Sequence, residues 1–170
     1  MKPGKKIYLL LGQKGSGKSY IASIMESQFG IKFIQTEDIA KNLIDNRKYD
    51  DESYLKEVFE AIEKEIRNAI NTNSEIVVES TGLSSYFDQM LSSISNDYKV
   101  IKIKIEADSD LCLVRIKNRV SNDIILEENE IREINEAFDK KIFRTDFSIL
   151  NNDNTVEDLN LKIGSILKVC

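Results

Sequence analysis

Residues 12–19 read Gly12-Gln13-Lys14-Gly15-Ser16-Gly17-Lys18-Ser19 and fit the pattern G-x-x-x-x-G-K-[ST]. The apolar run Ile7-Tyr8-Leu9-Leu10-Leu11 leads into this stretch, and an amphipathic segment, Ser19 to Phe29, leads out of it. A buried strand, a glycine turn and a helix start are the setting in which the pattern holds phosphate. Gly12, Gly15 and Gly17 open backbone angles closed to other residues, so successive N–H groups can turn inward around an anion. Lys14, Ser16 and Tyr20 complete the run expected to contact the phosphates. Lys18 is expected to reach the β- and γ-phosphates, and the Ser19 hydroxyl to ligate Mg²⁺. A glycine turn with an incidental lysine would need neither the strand nor the helix. The stretch therefore predicts a nucleoside-triphosphate site.

Outward from this loop, strand and helix signals alternate, which predicts an α/β chain with a parallel sheet and helices on both faces. Strands are expected at 6–11, 31–34, 75–79, 100–105 and 147–150. Helices are expected at about 18–29, after a Thr36 cap, at about 52–71, around 87–94, and from Asp108 or Ser109 through Arg119. Two more carry Ile131, Ile134 and Phe138, and Val156 to Leu167. No repeat or low-complexity tract divides the chain, so residues 1–170 read as a single domain.

Composition narrows the function. The 170 residues are 41% apolar and 31% charged, ordinary for a soluble protein. No apolar run approaches a membrane span, and the N-terminal strand is too short for a signal-peptide core. With only Cys112 and Cys170, a reduced, cytoplasmic protein is expected. Net charge is −5, unevenly spread: residues 1–48 carry nine Lys/Arg against four Asp/Glu, and residues 49–170 fifteen against twenty-five. A basic phosphate-binding end on an acidic body argues against a broad nucleic-acid surface. The chain has no histidine, so any general base is a carboxylate and His-ligated metals are excluded. The sequence does not specify an oligomeric state.

In open parallel sheets, ligands bind beyond the carboxyl ends of the strands. Three polar clusters are expected there: the loop 12–19, Thr36-Glu37-Asp38, and Glu79-Ser80-Thr81-Gly82. A strand order of 2-3-1-4-5 would put Glu79 beside Ser19, able to orient a Mg²⁺-bound water or to hold an acceptor. Asp38, one turn inside its helix, is a candidate to take the proton of an attacking hydroxyl or to hold the alcohol in line. It would otherwise only favour the positive helix end, and Glu37 be solvated. Arg115 and Arg119, four apart on one helical face, suit stacking on a base and neutralising transferred charge, or else pairing with surface carboxylates. Asn151, after the last strand, is placed either to meet the adenine edge or to form a simple turn.

With these residues in place, the chain resembles the small P-loop kinases of the nucleoside-monophosphate-kinase-like group. Within it, the resemblance is to the shikimate-kinase-like and polynucleotide-5′-kinase-like branch of compact ATP-dependent kinases. It covers nearly the whole chain through the loop 12–19, Thr36-x-Asp38, Glu79-Ser80-Thr81-Gly82, Arg115-x-x-x-Arg119 and the Asn151 turn. It implies a three-layer αβα sandwich on a five-stranded parallel sheet, ATP and Mg²⁺ as ligands, an acceptor region at about 36–73 and a lid at about 115–131. It also implies that the carboxylate at Asp38 touches the acceptor, that Arg115 packs on adenine and that Arg119 stabilises transferred charge. There are departures. Ile39-Ala40-Lys41 stands where the polynucleotide-kinase-like branch often carries an arginine, and residues 120–130 lack the further lid arginine of several relatives. Few cations remain to grip an anionic acceptor, which keeps a neutral or weakly charged hydroxyl compound in contention.

The leading expectation is ATP-dependent phosphorylation of a small-molecule hydroxyl, with Lys18, Asp38 and Arg119 (joined by Arg132) in the chemistry. The alternatives are a 5′-hydroxyl kinase acting on a nucleotide or nucleic acid, and a nucleotide-binding NTPase or switch module. A guanine-reading switch would need Asn-Lys-x-Asp, where this chain has Asn151-Asn152-Asp153-Asn154.

Overall fold

Strand β1 (Lys6–Gly12) is buried along nearly its whole length, and its alternating side chains serve two separate cores. Ile7, Leu9 and Leu11 enter one apolar cluster, whereas Tyr8 and Leu10 enter the other. A strand buried on both faces must be covered on both, the signature of a parallel sheet between helical layers. The computed structural model describes residues 4–119 and 126–170 and has that form. The elements that follow β1 are α1 (Lys18–Phe29), β2 (Lys32–Ile34), α2 (Thr36–Leu43), α3 (Glu52–Thr72), β3 (Glu75–Ser80) and α4 (Ser85–Asp97). After them come β4 (Lys99–Glu106), α5 (Ser109–Lys117), α6 (Glu128–Lys140), β5 (Phe147–Leu150) and α7 (Val156–Val169). The sheet is five-stranded, in the order β2-β3-β1-β4-β5, and every pairing is parallel. The expected fold class and strand order are those of the molecule.

Helix α3 repeats Tyr54, Val58, Ile62, Ile66 and Ile70 at helical spacing and buries all five against Ile7, Leu9, Ile76 and Val78. On the opposite face, α1 and α7 bring Ile21, Met25, Leu159 and Ile163 onto Tyr8, Leu10 and Ile103. Truncating one of these buried isoleucines to alanine costs about 2–5 kcal/mol by the loss of transfer energy and the cavity left behind. The register sets the site: Leu10 lies opposite Glu79, Leu11 opposite Ser80, and Gly12 opposite Ile105. The C-terminal ends of β1, β3 and β4 therefore open onto one edge, where α1 begins. Two details differ from the sequence reading. Thr36 is the first residue of α2 rather than its cap, because its hydroxyl donates across the sheet to the Glu79 carbonyl at 3.1 Å. Helix α5 ends at Lys117, so Arg119 lies beyond it. The proposed lid includes residues 120–125, which lie outside the described residues. Among the described residues, no helix is long and apolar enough to cross a membrane.

Candidate active site

The loop between β1 and α1 is shaped by two glycines in the left-handed region, Gly15 at φ 82° and Gly17 at φ 92°. Both also lie where a side chain would collide, Gly15 with the Cys112 backbone and Gly17 with the Asn151 amide. Left-handed backbone at Gly15 and Gly17 turns neighbouring N–H groups toward one centre, and the start of α1 adds its positive end. The loop is braced from three directions. The Asn135 amide of α6 grips the Lys14 backbone on both sides: Oδ1 accepts from Lys14 N–H at 2.8 Å and Nδ2 donates to its carbonyl at 3.1 Å. Asn151 Nδ2 donates to the Ser16 carbonyl at 2.8 Å. Gln13 is buried and donates to Asp139 at 2.8 Å and to Ser109 at 3.3 Å.

Lys18 is enclosed, with its ammonium donating to the Gly12 carbonyl at 3.0 Å and the Gln13 carbonyl at 2.7 Å. Burial lowers its pKa to about 8, although Glu79 nearby opposes the fall. Beside it, the Ser19 hydroxyl lies 2.8 and 2.9 Å from the two carboxylate oxygens of Glu79. Glu79 is itself buried, which raises its pKa, while Lys18 pulls it the other way. A hydroxyl and a carboxylate are hard oxygen donors of the kind Mg²⁺ accepts. Mg²⁺ is commonly held by substrate phosphates, water and one or two protein oxygens rather than by a protein cage. The residues present therefore suit Mg²⁺ brought in with a polyphosphate.

A cavity of about 490 Å³ opens over this loop, lined by Gly15, Gly17, Lys18, Ser19, Tyr20, Arg115 and Arg119 among others. The Arg115 guanidinium donates to the carbonyls of Asn151 at 2.9 Å and Asn152 at 2.6 Å. Edge contacts of this kind fix the plane of the guanidinium and leave a face to stack on a flat ring. Arg119 pairs with Glu37 at 3.7 Å, joining the segment after α5 to the first turn of α2. A second cavity, about 390 Å³, runs between α2, α3 and the end of β3. Lys14, Lys18, Glu37 and Glu79 line both cavities.

The structure thus gathers Lys14, Gly15, Gly17, Lys18, Ser19, Tyr20, Glu79, Arg115 and Arg119 around connected space. It does not bring Asp38 there. Asp38 is exposed and lines neither cavity, whereas its neighbour Glu37 lines both. The physical reason is rotation: one residue turns 100° around a helix, and the Thr36–Glu79 bond fixes which side faces the sheet edge. Asn151 is also relocated. It is 5% exposed and braces the loop from behind, lining neither cavity, so its side chain is spent on Ser16. Gly12 and Ser16 are buried and line neither cavity. The residues missed by sequence reasoning are Glu37, Gln13 and Asn135. Asn135 carried a signal, since an amide on the same buried stripe as Ile131 and Phe138 calls for a partner.

No protein-family model and no curated protein sequence matches the chain. Solved structures do. A sugar kinase from Janibacter sp. aligns with a TM-score of 0.70 at 11% identity, over 98% of this chain and 96% of its own. A shikimate kinase from Acinetobacter baumannii, in complex with shikimate, aligns at 0.66 and 17%, over 97% and 93%. The Mycobacterium tuberculosis APS kinase, in complex with AMPPNP and APS, aligns at 0.67 and 12%, over 96% and 98%. At these identities the likeness carries the fold. The chain has the three-layer αβα fold of the small P-loop kinases.

Proposed function

We propose that this protein transfers the γ-phosphoryl group of ATP to a hydroxyl of a small-molecule acceptor. The observation that carries the reading is the meeting of two cavities at Lys18, Glu37 and Glu79: one over a phosphate-binding loop, the other beside it. In this reading residues 1–170 form one kinase domain of the cytoplasm, with an acceptor region at about 36–73 and a lid at about 115–131. The loop amides and Lys18 hold the β- and γ-phosphates, and Arg115 offers its face to the adenine. Mg²⁺, when bound, neutralises charge on the β- and γ-phosphate oxygens. Ser19 and Glu79 would hold the metal's oxygen shell, Glu79 through water.

The acceptor oxygen attacks the γ-phosphorus, and the bond from that phosphorus to the β–γ bridging oxygen breaks. ADP leaves with the electron pair, and the hydroxyl proton passes to the Glu37 carboxylate and then to solvent. Arg119, which pairs with Glu37 and lines the cavity over the loop, is assigned to the charge that develops on the transferring group. Asp38 keeps the lesser role of a negative charge in the first turn of α2. The test is acceptor-dependent ADP release across a panel of hydroxyl compounds, run on the wild type and on Lys18→Ala. Turnover with at least one acceptor, lost in the folded variant, supports the reading. Undiminished turnover in Lys18→Ala contradicts it.

A further inference from the structure

The second cavity has a largely apolar wall. Tyr54, Leu55, Val58, Phe59 and Ile62 present successive turns of α3 to it, and Leu83 faces them. Its charged lining is mostly acidic: Glu37 and Glu79, which it shares with the phosphate cavity, and Asp50, which lines this cavity alone. Tyr49 senses the same field, its phenol pushed up first by burial and then by Glu130, Asp50 and Glu133. The cations in the lining, Lys14 and Lys18, also line the phosphate cavity and would serve the polyphosphate. No arginine among the described residues lines the second cavity. Arg47 comes near, 5.3 Å over the Tyr54 ring, but is paired with Glu57 at 2.8 Å.

Resting on the phosphoryl-transfer reading above, we propose that the acceptor is an alcohol with an apolar, ring-sized body and no acidic group. An anionic acceptor would give up its hydration beside three carboxylates, while Arg119 lines the phosphate cavity and is paired with Glu37. A polyol would lay hydroxyls on the α3 wall, where the phenol of Tyr54 already donates to the Ala40 carbonyl at 2.9 Å and the other side chains of that wall are apolar. The hydroxyls of Ser80, Thr81 and Ser84, at the β3 end, suffice to orient a single reacting alcohol. An amine on the far side of the ring meets Asp50 and is tolerated.

The test uses matched para-substituted benzyl alcohols carrying a methyl, an aminomethyl or a carboxylate group. Each is titrated by calorimetry into the full chain, with and without a non-hydrolysable ATP analogue and Mg²⁺. The methyl and aminomethyl compounds are expected to bind at least tenfold more tightly than the carboxylate. Phe59→Ala should weaken the methyl compound by about tenfold through the lost aromatic contact. Asp50→Lys, at an exposed position, should narrow the discrimination against the carboxylate. Equal or tighter binding of the carboxylate, or no binding of either other compound at millimolar concentration, overturns the acceptor class. If the ATP analogue still binds in those samples, the kinase reading stands without it. Failure of the analogue to bind sinks the kinase reading, while the preference among the alcohols still decides the character of the cavity.

Discussion

Raising the pH should loosen ATP while it steadies the empty protein, because both effects pass through Lys18. Its ammonium is enclosed on the Gly12 and Gln13 carbonyls, and burial brings its pKa from 10.5 to about 8. If the polyphosphate is gripped by the charged form, each tenfold fall in that form above its pKa weakens binding tenfold. ATP should therefore bind about tenfold more weakly at pH 9 than at neutral pH, and about thirtyfold at pH 9.5. Stability moves the other way. Between about pH 8 and 10.5 the unfolded chain holds the extra proton, so unfolding becomes costlier as pH rises. Lys18 contributes up to about 3 kcal/mol to that rise. Calorimetric titrations of Mg-ATP from pH 7 to 9.5, with denaturant unfolding of the ligand-free protein at the same pH values, read both slopes. An ATP affinity that stays flat to pH 9.5 would refute the reasoning, since it requires a lysine that keeps its proton or takes no part.

Three further outcomes are expected. Glu37→Gln should lower acceptor phosphorylation by about a hundredfold or more, whereas Asp38→Asn should leave it nearly unchanged in the same ADP-release assay. The reverse pattern would return the role to Asp38. Asn135→Ala strips partners from the Lys14 N–H and carbonyl and should cost about 1–3 kcal/mol in chemical denaturation. An unchanged midpoint would mean that water replaces the amide without loss. Arg115→Ala should weaken ATP by about tenfold yet leave tripolyphosphate affinity in place, because the guanidinium is assigned to the base. An equal loss for both ligands would assign it to the phosphates instead.

How far the chain could be read depended on whether a feature is set locally. The loop 12–19 and the bounds of α1 are local, because glycine angles and an apolar stripe act within a few residues, and the structure begins α1 at Lys18. The contact of Glu79 with Ser19 followed from strand order alone, since a parallel sheet with β3 beside β1 leaves their ends together. Helix rotation was not legible. Nothing local distinguishes Glu37 from Asp38; the distinction comes from a hydroxyl bond between residues 36 and 79. Asn151 stands at the expected end of β5, but only the packed loop shows that its amide meets the Gly17 surface. The Asn135 brace spans 121 residues of sequence, and a contact that distant leaves only the trace of a polar residue on an apolar face.

The central claim is that the loop holds a polyphosphate and hands its end group to a neighbouring oxygen. Phosphorus NMR of the protein with Mg-ATP and an apolar alcohol follows that group directly. ADP and a new phosphate-monoester resonance should grow together, and neither should appear with Lys18→Ala. Growth of inorganic phosphate alone, or a monoester formed equally well by the variant, would contradict it.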